Sequence, residues 1–489
     1  MENKNGLGLT TEETLALAQG MESGPRTPTT KAIKTGIAAA NFLYGYPLES
    51  PSKKLYFVED SIRRRIPRKL NETGGTSAHW KQITSINAGK LKAGVAEGAV
   101  NTAVTITSAE MSATYKTLNM YNSYSDESRI FGRKFEDIPQ LGMLATLQNL
   151  MIQEDRYILG GNVHALGAPT GVTCTGAVTS GGALVFGTTY DITVSALTLH
   201  GYLNGATGHG TADAADETDV VTTGATHIEI APGGSNNSFT VTWNDVPGAF
   251  AYNVYISTHA TGTPFYLATV TKNAYTILAN KTSGNVANTA DQTADTLGYS
   301  GIMEQLTYGA GSGPSATGVY YKSLDGAALT TDGAGGVAEV ETALQSIWNN
   351  YRVSPTAMFI NSQESKSFKK LAIGSSTANA VRITVTPDGK NEFGAGAAVN
   401  AYWSPYTAQW IQIVTSVHMP PGKVMLLGES VPYPDSETPN NFEVELQQEY
   451  YGEMFARTSR TTPVGVTCIG ALKVYLPGAC GIISNCAAA

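Results

Sequence analysis

The chain has 489 residues, with 32 Lys+Arg, 40 Asp+Glu and a formal net charge of −8. That length exceeds what one hydrophobic core normally fills, so several domains are expected. Charged residues are only 15% of the chain, against roughly a quarter in ordinary domains, which excludes a charge-rich disordered polymer, and no basic excess marks a protein devoted to gripping nucleic acid.

The 52 glycines and the low charge point to β-structure, loops and surface that meets another subunit rather than water. The N-terminus is polar, with no apolar core of a secretory signal. Tyr157 to Tyr190 carries no Asp, Glu, Lys or Arg, yet Gly, Thr, Ser and Pro break it too often for a membrane span. Cys174, Cys468, Cys480 and Cys486 fit no zinc spacing and are expected to be reduced.

Residues 1–52 read as an arm. Thr10-x-x-Glu13 is a capping box before Leu15 to Ala18, giving a short helix, and Ala32 to Tyr44 gives another. Such an arm has little core and needs a neighbouring surface.

Residues 53–130 hold the basic run Arg63, Arg64, Arg65, Arg68 and Lys69. Strand candidates follow at Trp80–Ile86, Ala103–Thr107 and Ala113–Leu118, around a turn at Gly94-Val-Ala-Glu-Gly98. A two-stranded ribbon of this kind is marginal alone in water. The arginines suit bidentate pairing with carboxylates across a subunit contact; a solvated face and contact with DNA phosphate are the other readings. Glu97, at the turn, joins the candidate contacts.

Residues 131–166 carry the clearest helix, over 137–160. Leu141, Leu144, Leu147, Met151 and Ile158 recur at helical spacing, and Gly160-Gly161 ends it.

Residues 167–299 change character, with nine acidic and two basic residues. Alternating strands recur at Tyr190–Leu197, Thr226–Ile230, Phe239–Trp243, Tyr252–Ile256, Phe265–Val270 and Tyr275–Leu278, and Gly181–Leu184 is a further one. No helix period interrupts them, which argues a β-sandwich inserted between two parts of another domain. A module with its own core is expected to be removable without loss of assembly.

Residues 300–489 return to mixed α/β. Val337 to Tyr351 is a helix with Val340, Ala343, Leu344 and Ile347 inward. Ala357–Asn361 is a buried strand, Gln363–Leu371 a short helix, and Ile411–Val417, Lys423–Leu427 and Phe442–Leu446 are strands. Leu472–Leu476 closes the fold before Pro477.

Nothing nominates catalysis. Gly333-Ala-Gly-Gly-Val-Ala338 matches GxGxxA, but the preceding segment is polar, so it reads as a helix-entry loop. The seven histidines show no HExxH spacing, and Asp213, Asp216, Glu217 and Asp219 lack EF-hand spacing. No catalytic, cofactor-binding or metal-ligating residue is assigned; the chain is expected not to be an enzyme and to need no cofactor.

The order of arm, strand-rich excursion, long helix, insertion and mixed α/β resembles the major capsid protein of tailed double-stranded-DNA phages, the HK-ninety-seven fold. Gly94-Val-Ala-Glu-Gly98 resembles the Gly-x-x-Glu-Gly turn of that family's extended loop, the E-loop. Ser354–Asn361 followed by Ser367–Leu371 resembles the axial domain. Met419–Gly428, Glu449–Met454 and Gly465–Leu476 resemble the return to the peripheral domain. The likeness covers nearly all of 1–166 and 300–489. The insertion resembles fibronectin type III or immunoglobulin-like modules through Phe239–Tyr255, with Trp243, Tyr252 and Val254 as sandwich core.

The resemblance implies an α+β capsid fold: N-arm 1–52, E-loop 53–130, spine helix and peripheral domain 131–166, inserted sandwich 167–299, and axial domain with peripheral return 300–489. It implies a structural protein of the virion, made in the host cytoplasm. It would self-assemble into hexamers and pentamers of an icosahedral head around DNA held without sequence specificity, with the sandwich outside. Portal, scaffold or decoration proteins are implied partners; no membrane is. The chain begins at Met1, so any scaffold is expected to be a separate protein. Lys81, Lys90 and Lys92 lie where relatives form Lys–Asn cross-links, but no residue singles out one of them. The alternative is a surface or tail-associated adhesin that contacts glycans through the sandwich.

Overall fold

The computed structural model describes residues 61–71, 74–86, 94–101, 103, 106–132, 137–179, 181–205, 226–229, 237–259, 262–288, 290–308, 317–333, 336–374, 400–430, 440–457 and 459–488. The arm over 1–52, the acidic cluster Asp213 to Asp219, Lys90 and Lys92 lie outside them.

A turn over 61–66 leads into β1 (Arg68–Leu70), then β2 (Ser77–Ile86), β3 (Ile106–Thr114) and β4 (Lys116–Ser125). β2 and β3 pair antiparallel with each other alone, as a two-stranded ribbon. The third strand expected in this region, Ala113–Leu118, is not one strand. The chain changes partner at Tyr115, whose N–H bonds to Thr76 and whose hydroxyl donates to Glu445. Residues before that point belong to the ribbon and those after it to a different sheet.

The short helix α1 (Asp126–Gly132) precedes α2 (Ile138–Gly160), a helix of 23 residues that is about 35 Å long at ~1.5 Å per residue. A proline in its first turn starts α2 at no hydrogen-bond cost. The backbone turns extended at Gly161, and the position admits no side chain, since a Cβ there would sit 2.2 Å from the Tyr299 carbonyl oxygen.

The middle of the chain forms β5 (Thr173–Thr179), β6 (Thr189–Leu197), α3 (Leu199–Asn204), β7 (Thr226–Glu229), β8 (Ser238–Thr242), β9 (Ala251–Thr258), β10 (Phe265–Val270) and β11 (Ala274–Ile277). They make two sheets, ordered β10-β9-β6-β7 and β11-β8-β5. One buried cluster joins them, with Tyr190, Ile192, Val194, Phe239, Val241, Trp243, Tyr252 and Val254. The Trp243 and Tyr252 rings meet edge-on at 5.4 Å. Two expectations are corrected. Gly181–Leu184 is not a strand, because Gly181 adopts φ +108°, and its place is taken by β5. A helix does interrupt the strands: Thr198 caps α3 by accepting the Gly201 N–H, and left-handed Gly205 closes it.

The rest comprises α4 (Ile302–Thr307), β12 (Tyr320–Ser323), α5 (Ala338–Tyr351), β13 (Ala357–Ile360), α6 (Ser362–Gly374), β14 (Ala401–Ser404), β15 (Gln409–Thr415), β16 (Val424–Leu427), β17 (Phe442–Met454), β18 (Thr461–Val474) and β19 (Gly481–Ser484). Six strands form a mixed sheet, β12-β19-β16-β13-β15-β14. Its central strand alternates: Met358 and Ile360 face a cluster with Val340, Ala343 and Leu344 of α5, while Ala357 and Phe359 face a cluster with Leu150 and Ile158 of α2. The chain does not close at Leu476. Beyond Pro477 it adds β19, inserted between β12 and β16. The other large sheet, β1-β17-β18-β4, packs on α2 and spans the long hairpin of β17 and β18.

Candidate functional site

Three places in this architecture bear on function: a clamped strap, the ribbon that leaves it, and the joint between the double-sheet unit and the mixed sheet.

The strap is residues 61–70. It runs over α2, and two carboxylates of that helix, both fully buried, hold it. Asp155 Oδ1 accepts the backbone N–H groups of Ile62 and Arg63 at 3.0 and 2.8 Å. Its Oδ2 meets His418 Nδ1 at 2.9 Å. Glu154 receives Arg63 Nε at 2.9 Å and both terminal nitrogens of Arg68 at 2.8 and 3.0 Å, and the Tyr450 hydroxyl donates to it as well. Both guanidinium groups lie against the Tyr450 ring, at 5.2 and 4.9 Å. Arg65 turns the other way, to Glu429 at 2.5 Å and to Gln412 at 2.8 Å.

The basic run therefore needs a correction. Arg63, Arg65 and Arg68 do meet carboxylates, but those are Glu154 and Glu429 of the same chain. The strap folds back on its own helix, and the burial of Glu154 demands cationic partners close by. Arg64, Lys69 and Glu97 remain exposed. Glu154 was readable in principle: with Leu147, Met151 and Ile158 it continues one helical stripe, so a carboxylate stands on an apolar face.

The ribbon is rooted on one face. Ala78, Trp80 and Gln82 of β2 are buried, alternating with exposed His79 and Lys81. Trp80 Nε1 donates to the Val474 carbonyl at 2.9 Å, the Ile83 N–H to that of Tyr475 at 2.8 Å, and Tyr351 Oη to that of Thr84 at 2.7 Å. Beyond this root no described residue of the ribbon is buried. No β3 side chain described is buried, and residues 94–101 are exposed, with Val100 at 97%. Left-handed Gly98, φ +78°, makes the turn beside Glu97.

The joint is built on Asp245, in the loop after β8. It accepts hydrogen bonds from Tyr252 at 2.9 Å within its own unit, and from Tyr321, Ser484 and Asn485 of the mixed sheet. Asn273 bonds to Asp325 across the same seam at 2.8 Å. Lys423 is buried there, over the Phe250 ring, and burial lowers its pKa. This polar centre and the entry of Leu199 and Phe250 into the cluster of α2 and the mixed sheet both join the two parts. Asp245 lies inside the segment Phe239–Tyr255, whose reading stopped at Trp243, Tyr252 and Val254.

Among the described residues, no group of three or more His, Cys, Asp and Glu could hold a metal ion, and no helix is long and apolar enough to cross a membrane. The four cysteines are unbridged thiols.

No family model matches this chain, and no curated protein matches it. Solved structures do. The capsid of the native GTA particle is 8% identical, covering 93% of this chain and 100% of that one, with a TM-score of 0.41. The capsid of Cyanophage A-1(L) is 9% identical over 88% of this chain and 94% of that one, at 0.42. The capsid of Myoviridae phage XM1 is 8% identical over 90% and 100%, at 0.37. At such identities and TM-scores, these likenesses fix no residue role in this chain.

Proposed function

We propose that this chain is a capsid shell protein, which self-assembles into the hexamers and pentamers of an icosahedral phage head enclosing double-stranded DNA. The observation that carries the reading is the ribbon. Its root is fixed by hydrogen bonds to backbone carbonyls, while the turn beyond its two strands, which are marginal in water, carries the exposed apolar residues Val95 and Val100. A second copy lying under the ribbon supplies the surface that the monomer lacks. Glu97, Arg64 and Lys69 are exposed charged groups at that contact. The low charge of the chain fits a protein whose surface is largely shared between copies.

In this reading the double-sheet unit over 167–299 is an immunoglobulin or fibronectin-type-III-like sandwich that projects outward. DNA is held without sequence specificity, portal, scaffold or decoration proteins complete the head, and no catalysis is required. Electron microscopy of the purified protein tests it. Shells, sheets or capsomers are expected, and replacing residues 94–101 by a short Gly-Ser turn should abolish them while leaving a folded monomer. Monomers at all concentrations for the intact chain sink the proposal.

A further inference from the structure

We infer that the outer hairpin of the mixed sheet, β14 with β15, is a self-association surface, buried against a second copy of this chain through Trp403, Trp410 and the free edge of β14. The inference rests on the shell reading above and deepens it by naming a contact.

β14 is the outermost strand of its sheet among the described residues. Asn400 O accepts the Ile413 N–H at 2.9 Å, so hydrogen-bonded pairs fall at 400/413, 402/411 and 404/409. By the alternation of an antiparallel ladder, the N–H and C=O groups of Ala401 and Trp403 point away from the sheet. They form a short open edge.

The two faces of the hairpin differ sharply. On one, Tyr402 and Ile411 are buried; Tyr402 Oη donates to Glu341 at 2.6 Å and accepts the Val337 N–H at 3.1 Å. On the other, Trp403 and Trp410 stand directly opposite each other, rings 4.9 Å apart and inclined at 65°, with 44% and 67% of their surface exposed. Two of the five tryptophans are thus spent on solvent. Tryptophan is the side chain most enriched where protein interfaces concentrate their energy.

Charge identifies the occupant. From Asn400 to Val417 there is no Asp, Glu, Lys, Arg or His. Proteins keep open edges apart with lysines, inward charges or prolines on the edge strand, and here the only proline, Pro405, lies in the turn. Among the described residues, nothing protects this charge-free edge with its two exposed tryptophans against pairing with another protein. The core of a protein interface is depleted of charge in the same way. In a chain that assembles with itself, the surface present at matching concentration is a second copy.

The test compares intact protein with the double variant Trp403→Lys, Trp410→Lys, and with Leu297→Lys as a control at another exposed apolar site. Circular dichroism checks the fold, which these exposed positions should not disturb. Assembly followed by light scattering should require at least about tenfold more of the double variant, the loss of one modest contact. The control should match the intact chain, and tryptophan emission of the intact chain should move to shorter wavelength on assembly. Assembly of the folded double variant at unchanged concentration overturns this inference and leaves the shell reading standing. Failure of the intact chain to assemble overturns both.

Discussion

His200 shows how one side chain can carry the pH response of a whole seam. It opens the short helix α3, and its ring lies 4.3 Å from that of Tyr157 on α2. Burial pushes its pKa down to about 4, with the nearby Arg156 and His418 charges adding to the effect and Asp295 opposing it. The folded protein therefore holds this imidazole neutral, whereas the unfolded chain protonates it near pH 6.5. Between those values the unfolded state binds more protons, so stability is full above about pH 6.5 and falls as the pH drops toward 4. The withdrawal by pH 4 is roughly 2–3 kcal/mol. Urea unfolding of intact protein and of His200→Phe checks it. The variant should lose less stability than the intact chain across that window, and parallel pH profiles would refute the assignment.

At the scale of elements, the strap is held by charge rather than by its two apolar anchors alone. Ile62 and Ile66 are buried, but Glu154 gathers two arginines and a tyrosine hydroxyl. Glu154→Ala removes a buried anion from both guanidinium groups, a loss of about 3–5 kcal/mol. Hydrogen exchange should rise over residues 61–70 and the β1 pairing before it rises in α5; uniform protection throughout would show that the anchors suffice. The sequence exposed α2 and α5 plainly, because fourteen or more residues at one period leave little ambiguity. It did not expose the polar centres. A periodic reading counts the apolar positions and passes over a carboxylate among them, and the arginines that meet Glu154 lie about 90 residues away. Strand limits failed for a related reason. β3 and β4 run almost continuously, and only the pairing partner changes at Tyr115. β19 was hidden because Pro477-Gly478 reads as a stop, whereas here it is a turn back into the sheet.

At the scale of the molecule, the double-sheet unit has its own buried cluster and also contributes side chains to the cluster around α2. The chain enters and leaves it side by side: the Gly301 N–H donates to Gly161 O at 2.9 Å and the Asp295 N–H to Asn162 O at 2.7 Å. That geometry suits an insertion, since closing the gap after removal costs little loop entropy. The seam argues for a price in stability all the same. Leu199, Phe250 and Tyr299 belong to the cluster that also holds α2, and Asp245 is the acceptor for Tyr321, Ser484 and Asn485. Deleting residues 167–298, which keeps Tyr299, removes two large buried side chains worth about 2–5 kcal/mol each. Calorimetry should record a melting temperature about 10 °C lower or more. An unchanged melting temperature would mean the seam is idle, and Asp245→Ala should reproduce part of the drop.

The position of β19 has a consequence for biosynthesis. Residues 481–484 lie between β12 and β16, and without them those two strands have no contact through the sheet. Domains generally fold as they emerge from the ribosome, N-terminal parts first. This sheet cannot: β12, more than 150 residues upstream, waits for the last strand to arrive. The strands β16-β13-β15-β14 are contiguous without it, so what the last strand adds is β12. A nascent chain therefore holds β12 apart from the rest of this sheet until translation has passed Ser484.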